Sequence, residues 1–110
     1  GERTTSPGFH KMANKKSCHL SFGNRLTAYE TADHLNALNT FISELERDAP
    51  ATIDASATAN VDTAGCQLID LALTAARKKE AALEVKLSEA VQQAFSILGL
   101  GETGEAHEAD

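Results

Sequence analysis

Residues 51–69, ATIDASATANVDTAGCQLI, decide the fold class. Ala51 to Ala55 is a short run directly after Pro50 and predicts a strand. Ser56 to Val61 is polar and small, and predicts a loop. Asp62-Thr63-Ala64-Gly65 then opens a helical pattern that runs to Lys79. Leu68, Ile69, Ala72, Leu73 and Ala76 recur on one side of it, while Gln67, Asp70, Thr74 and Lys78 form the opposite stripe. Arg77, Lys78 and Lys79 fall in the last turn, where cations complement the helix dipole. A strand passing through one loop into a helix is the repeating unit of a layered α/β domain.

The same alternation extends in both directions. On the N-terminal side, Ser17 to Phe22 sets Cys18, Leu20 and Phe22 on one face and Ser17, His19 and Ser21 on the other, the period of a half-covered strand. Gly23-Asn24 supplies turn chemistry, and Arg25–Thr27 is expected to pair back as a hairpin. Thr27-Ala28-Tyr29-Glu30 matches a capping box. Behind it Ala28, Ala32, Leu35, Leu38, Ile42 and Leu45 predict an amphipathic helix ended near Arg47 by Asp48-Ala49-Pro50. On the C-terminal side, Leu83, Val85 and Leu87 alternate with Glu84 and Lys86 as another strand. Ser88 can cap a last helix whose face is Val91, Ala94, Phe95 and Leu98. Gly99 suits the left-handed position just past it, with Leu100 as its hydrophobic contact. The expected order is β-β-α-β-α-β-α. It implies an α/β domain with a roughly four-stranded mixed sheet and three helices mainly on one face.

Length and composition set the outer limits. The chain has 110 residues, enough for one small domain. Residues 1–11 read as a leader unrelated to the fold, 12–100 as the domain, and 101–110 as an acidic, disordered tail carrying Glu102, Glu105, Glu108 and Asp110. Of the apolar 42%, only five residues are aromatic and nineteen are Ala, so the core is expected to be built from small side chains in close approach. The formal charge of −6 argues against nucleic acid or an anionic membrane as partner, since both need a basic face. No run of 18 apolar residues occurs, so direct membrane insertion is not expected. With no hydrophobic-centred secretory leader and two cysteines, Cys18 and Cys66, reduced thiols and a cytoplasmic location are expected.

Three runs together resemble the STAS domain, the fold of anti-sigma factor antagonists and of the cytosolic part of sulfate transporters. They are Ile53-Asp54-Ala55-Ser56, Val61-Asp62-Thr63-Ala64-Gly65-Cys66-Gln67-Leu68-Ile69, and Leu98-Gly99-Leu100. The family pattern is a strand ending in Asp and a small residue, a loop, then Asp-Ser/Thr-small-Gly-Leu opening a helix. The resemblance covers about Ser17 to Leu100. It implies a non-enzymatic bacterial regulator that works by protein binding, with the family's phosphorylatable residue falling on Thr63. The implied partner is an anti-sigma-type serine/threonine kinase or a chemotaxis-associated protein. Subunits of lipid-transporting ABC systems also carry Val-Asp-Thr-small-Gly, matched by Val61 to Gly65, so the alternative is a cytosolic STAS subunit bound to a transporter ATPase. Two departures stand out. Gly23-Asn24-Arg25-Leu26-Thr27 holds no acidic residue where sporulation-type antagonists carry one. The pattern also stops at Leu100, without the family's usual last strand and helix.

Chemistry supports the position independently. The first turn of a helix directs amides outward and favours negative charge, so a phosphate at Thr63 suits its place. Asp62 beside it would repel that charge, and phosphorylation would act by spoiling a docking surface. Asp62 or Thr63 also suits the helix cap, and one residue can be both cap and phosphosite. Gly65 is expected to leave room for a partner. Gln67, Asp70, Leu71 and Thr74 follow on adjacent turns, so the expected partner surface is Asp62, Thr63, Ala64, Gly65, Gln67, Asp70, Leu71 and Thr74. No phosphate loop occurs, and His10, His19, His34 and His107 are scattered without ligand spacing. Cys66 reads as a small core residue, and Asp54 as an acceptor for loop amides. No enzyme, metal or cofactor is expected.

Overall fold

A computed structural model of the chain describes residues 17–100; the leader and the acidic tail lie outside the described residues. The elements in order are β1 (Cys18–Ser21), β2 (Arg25–Leu26), α1 (Ala28–Glu44), β3 (Pro50–Ala55), β4 (Asn60–Val61), α2 (Thr63–Lys78), β5 (Ala82–Leu87) and α3 (Glu89–Leu98). The chain is α/β with three helices among the described residues, and the expected order holds apart from the insertion of β4.

The sheet differs from the expected mixed, four-stranded one. All observed pairings are parallel, in a three-stranded sheet ordered β1-β3-β5 and a two-stranded one ordered β2-β4. The expected hairpin is absent. Arg25 and Leu26 pair with Asn60 and Val61 instead of turning back on β1. The reason lies in the loop read as unstructured. Thr58 is fully buried and donates its hydroxyl to the Gly23 carbonyl at 2.8 Å. The amides of Ala59 and Asn60 both reach the Asn24 carbonyl. These bonds consume the turn residues and draw residues 58–61 alongside β2.

Register puts Cys18, Leu20, Ala51, Ile53 and Ala55 on one face of the larger sheet, and all five are buried. His19, Ser21, Thr52 and Asp54 occupy the other face, none of them buried. The helices cover the apolar face. Leu26, Ile69, Ala72, Val91 and Phe95 join the same core as the strands. The helix ends follow the sequence closely. Thr27 and Glu30 form the capping box, Ser88 caps α3 through the Val91 amide, and Gly99 is left-handed at φ 72°. The Leu100 amide then bonds the Phe95 carbonyl at 2.9 Å, closing α3.

α1 departs from its expected face and end. It stops at Glu44, and its buried residues are Leu38 and Phe41, with Leu45 buried at the cap. Ala28, Ala32 and Leu35, expected in the core, are exposed. β5 is also less covered than its alternation suggests, with Val85 exposed between half-buried Leu83 and Leu87. No helix among the described residues is long and apolar enough to cross a membrane.

Candidate functional site

The start of α2 is built around one carboxylate. Asp62 is the N-cap, and its Oδ1 accepts from the Gly65 amide at 3.0 Å. Its Oδ2 accepts from the amide of Ala28, the first residue of α1, at 2.9 Å. One side chain thereby satisfies orphan amides of two helices and fixes their N-termini side by side. The bonds from Gly65 and then Ala28 hold the Asp62 carboxyl below the usual carboxylate range, so it stays charged.

Because Asp62 takes the cap, the hydroxyl of Thr63 is not spent on it. Thr63 is the first residue of α2 and is exposed. Two shallow apolar depressions lie at the start of α2, one lined by Thr63 and one beginning at Ala64. On one side Ala64, Gln67 and Leu71 of α2 face Thr31, Leu35 and Leu38 of α1 across a groove of about 190 Å³. On the other, Val61, Asp62 and Thr63 line a depression of about 180 Å³ with Ala94, Ile97 and Leu98 of α3. Leu71 is 55% exposed, Leu35 50% and Ile97 84%, a concentration of apolar surface around a polar residue.

The expected surface residues are thus not all equivalent. Thr63, Gln67, Leu71 and Thr74 are exposed, Ala64 and Asp70 half-buried, and Gln67 and Leu71 share the groove with Ala64. Gly65 is buried, and its missing Cβ serves the fold. A Cβ there would run into the Leu26 carbonyl and lie 2.9 Å from Val61 Cγ2. The close approach expected of a partner is made by β2 and β4.

Leu35 and Thr31 of α1 and Ile97 and Leu98 of α3 were not anticipated at this site. Leu35 and Leu98 carried the right spacing for a core stripe, and nothing in their periodicity marks the ends of those helices as uncovered. Ile97 was legible, since it stands off the apolar face of α3.

The remaining candidates have structural roles. Cys66 is fully buried, and burial raises its thiol above the ordinary range, the opposite of an activated nucleophile. Asp54 Oδ1 accepts from the Ser56 hydroxyl at 2.6 Å and amide at 2.9 Å, the loop contact expected of it. These two bonds, the hydroxyl's the stronger, lower its carboxyl. His34 packs edge-on against Phe22 with ring centroids 5.1 Å apart. No group of three or more His, Cys, Asp or Glu among the described residues could hold a metal ion. In comparisons with protein-family models, curated proteins and solved structures, nothing matches this chain.

Proposed function

We propose that the chain is a STAS-type regulator of the anti-sigma factor antagonist kind. In this reading it is non-enzymatic, cytoplasmic and bacterial, and it docks a protein partner through the first turns of α2. Thr63 is the switch. The observation that carries the reading is the exposed Thr63, left unused by the cap and lining one apolar depression, with a second beginning at its neighbour Ala64. A docking surface with an apolar centre and a modifiable polar group at its middle can be turned off by one phosphate. That group would bring roughly −1.5 to −2 charges next to a carboxylate that is already ionised. Asp62, Ala64, Gln67, Asp70, Leu71 and Thr74 complete the surface, and Gly65 supports it from beneath.

Binding to an anti-sigma-type serine/threonine kinase from the same cell tests the reading. Thr63→Glu is expected to weaken the complex at least about tenfold, about 1.4 kcal/mol, and Thr63→Ala to bind yet escape regulation. Leu71→Asp is expected to impair binding in either phosphorylation state, because charge at a desolvated centre is costly. Mass spectrometry of the protein from its own cells is expected to find phosphate on Thr63. A constitutive complex with a transporter ATPase, damaged by both Thr63 substitutions and free of phosphate, would replace this reading with the transporter-subunit one.

A further inference from the structure

We infer that the outer edge of β5 is a self-association surface, on which a second copy of this chain pairs antiparallel about a two-fold axis through Val85. The inference is independent of the α2 surface and uses none of its residues.

β5 ends the order β1-β3-β5, so no described strand pairs with its outer side. The phase of its backbone is fixed by two bonds. The Ala82 amide donates to the Ala49 carbonyl at 2.9 Å, and the Ser88 amide to the Ala55 carbonyl at 3.2 Å. Even-numbered residues therefore turn their amides and carbonyls toward β3. Strand alternation then turns those of Leu83, Val85 and Leu87 to the open edge.

A two-fold axis through Val85 sets Val85 opposite its own copy and Leu83 opposite Leu87. These are the outward-turned residues, so each such pair exchanges both of its N–H···O bonds. The axis also sets Glu84 opposite Lys86, twice, at the non-hydrogen-bonded positions where facing side chains come closest. The hexapeptide Ala82-Leu83-Glu84-Val85-Lys86-Leu87 is thus its own complement in charge and in apolar content. Lysine on an open edge ordinarily discourages pairing. Here Glu84, two residues away, makes that same lysine an attractive group for this one register.

Burial agrees. Val85 lies beside the fully buried Ile53 on the core face of the sheet, yet is 38% exposed. The apolar face stops short at this edge, and the second copy's Val85 would continue it. Glu84 and Lys86 lie 4.0 Å apart with half or more of each side chain exposed, and although Lys86 also lies beside Asp54 of β3, both can reach a new partner across the edge. An in-register parallel pairing would align like charges and leave the interface unclosed, whereas the two-fold closes it.

Sedimentation equilibrium on the full chain over a range of concentrations tests the inference. The wild-type chain is expected to dimerise. Glu84→Lys and Lys86→Glu each place like charges at both cross-strand pairs, and each is expected to weaken the dimer about tenfold or more. An equimolar mixture of the two variants restores opposite charges at both pairs, and is expected to recover dimer, as is the double variant Glu84→Lys/Lys86→Glu. Both positions are exposed, so circular dichroism of every variant should match wild type. A wild-type chain monomeric up to millimolar concentration would overturn the inference. So would a dimer that both single variants form as tightly, or a mixture that stays monomeric.

Discussion

α1 and α2 begin within reach of the same carboxylate, yet different forces hold them. α2 buries Gly65, Cys66, Leu68, Ile69, Ala72, Leu73 and Ala76 along its length, whereas the buried residues of the longer α1 are Leu38 and Phe41. The start of α1 is tied down by polar contacts instead: its capping box, the Arg25–Glu30 ion pair at 3.3 Å, and the Ala28 amide on Asp62. Geometry explains the contrast. Seventeen residues of helix extend about 25 Å, and the four residues of β1 only about 13 Å. α1 thus runs well beyond the length of β1, and its Thr31, Leu35 and Leu38 form a wall of the groove lined by Ala64, Gln67 and Leu71 of α2.

The sharpest test of the contrast truncates one apolar residue in each helix. Ile69→Ala removes a fully buried side chain from the middle of α2, and is expected to cost about 2–5 kcal/mol in denaturant unfolding. Leu35→Ala in the exposed half of α1 is expected to stay within about 0.5 kcal/mol. Equal losses would break the comparison, by showing α1 packed along its whole length.

Gly65→Ala comes next. The added methyl meets the Leu26 carbonyl, a backbone group that cannot rotate away, and overpacking of this kind costs about 1–3 kcal/mol. The loss is expected in stability, read from the unfolding midpoint. A variant as stable as wild type but defective in binding would return Gly65 to the partner surface.

What was legible in the sequence follows the same division. α2 was readable almost to the residue, because a helix pressed along its length on a sheet shows its whole burial stripe as periodicity. The caps were readable too, since Thr27–Glu30, Ser88 and Gly99 act through contacts a few residues away. The face of α1 was not. Ala28, Ala32 and Leu35 have the spacing of a core stripe, and only the length of the neighbouring strands says that the stripe is uncovered. The pairing of β2 with β4 was hidden for another reason. It depends on Thr58 reaching Gly23 across 35 positions, a contact that no local pattern encodes. At the site, Thr63 stood out through the resemblance and Leu71 from its place at the margin of a polar stripe. Leu35 and Leu98 did not, because only the packed fold shows which stripe residues remain at the surface. Gly65 looked like an opening for a partner because a glycine records that something comes close without recording what.

The smallest expected effect concerns acid, and it separates the two helices by the charge that holds each start. Glu30 accepts from the Thr27 hydroxyl at 2.6 Å and the Thr27 amide at 2.9 Å. These bonds, the hydroxyl's first, and then Arg25 lower its carboxyl from the usual 4.5 to about 2. A carboxyl whose folded value is depressed contributes stability that is complete above its unfolded value and is lost as pH falls through the folded one. The contribution of Glu30 is therefore whole above about pH 4.5 and fades toward pH 2. Asp62 moves in the same direction, but it serves both helices, and α2 keeps its buried face when that carboxylate is protonated. On acidification the amides of residues 28–32 are thus expected to lose hydrogen-exchange protection before those of residues 66–73. Glu30→Gln should flatten the acid limb of stability between pH 4.5 and 2, since Gln keeps an acceptor without the titration. Arg25 is exposed and Glu30 half-buried, so molar salt should shrink the part of the effect that Arg25 supplies and leave the Thr27 bonds in place. Loss of protection in both helices at one pH would instead make Asp62 the common latch, and would erase the difference between them.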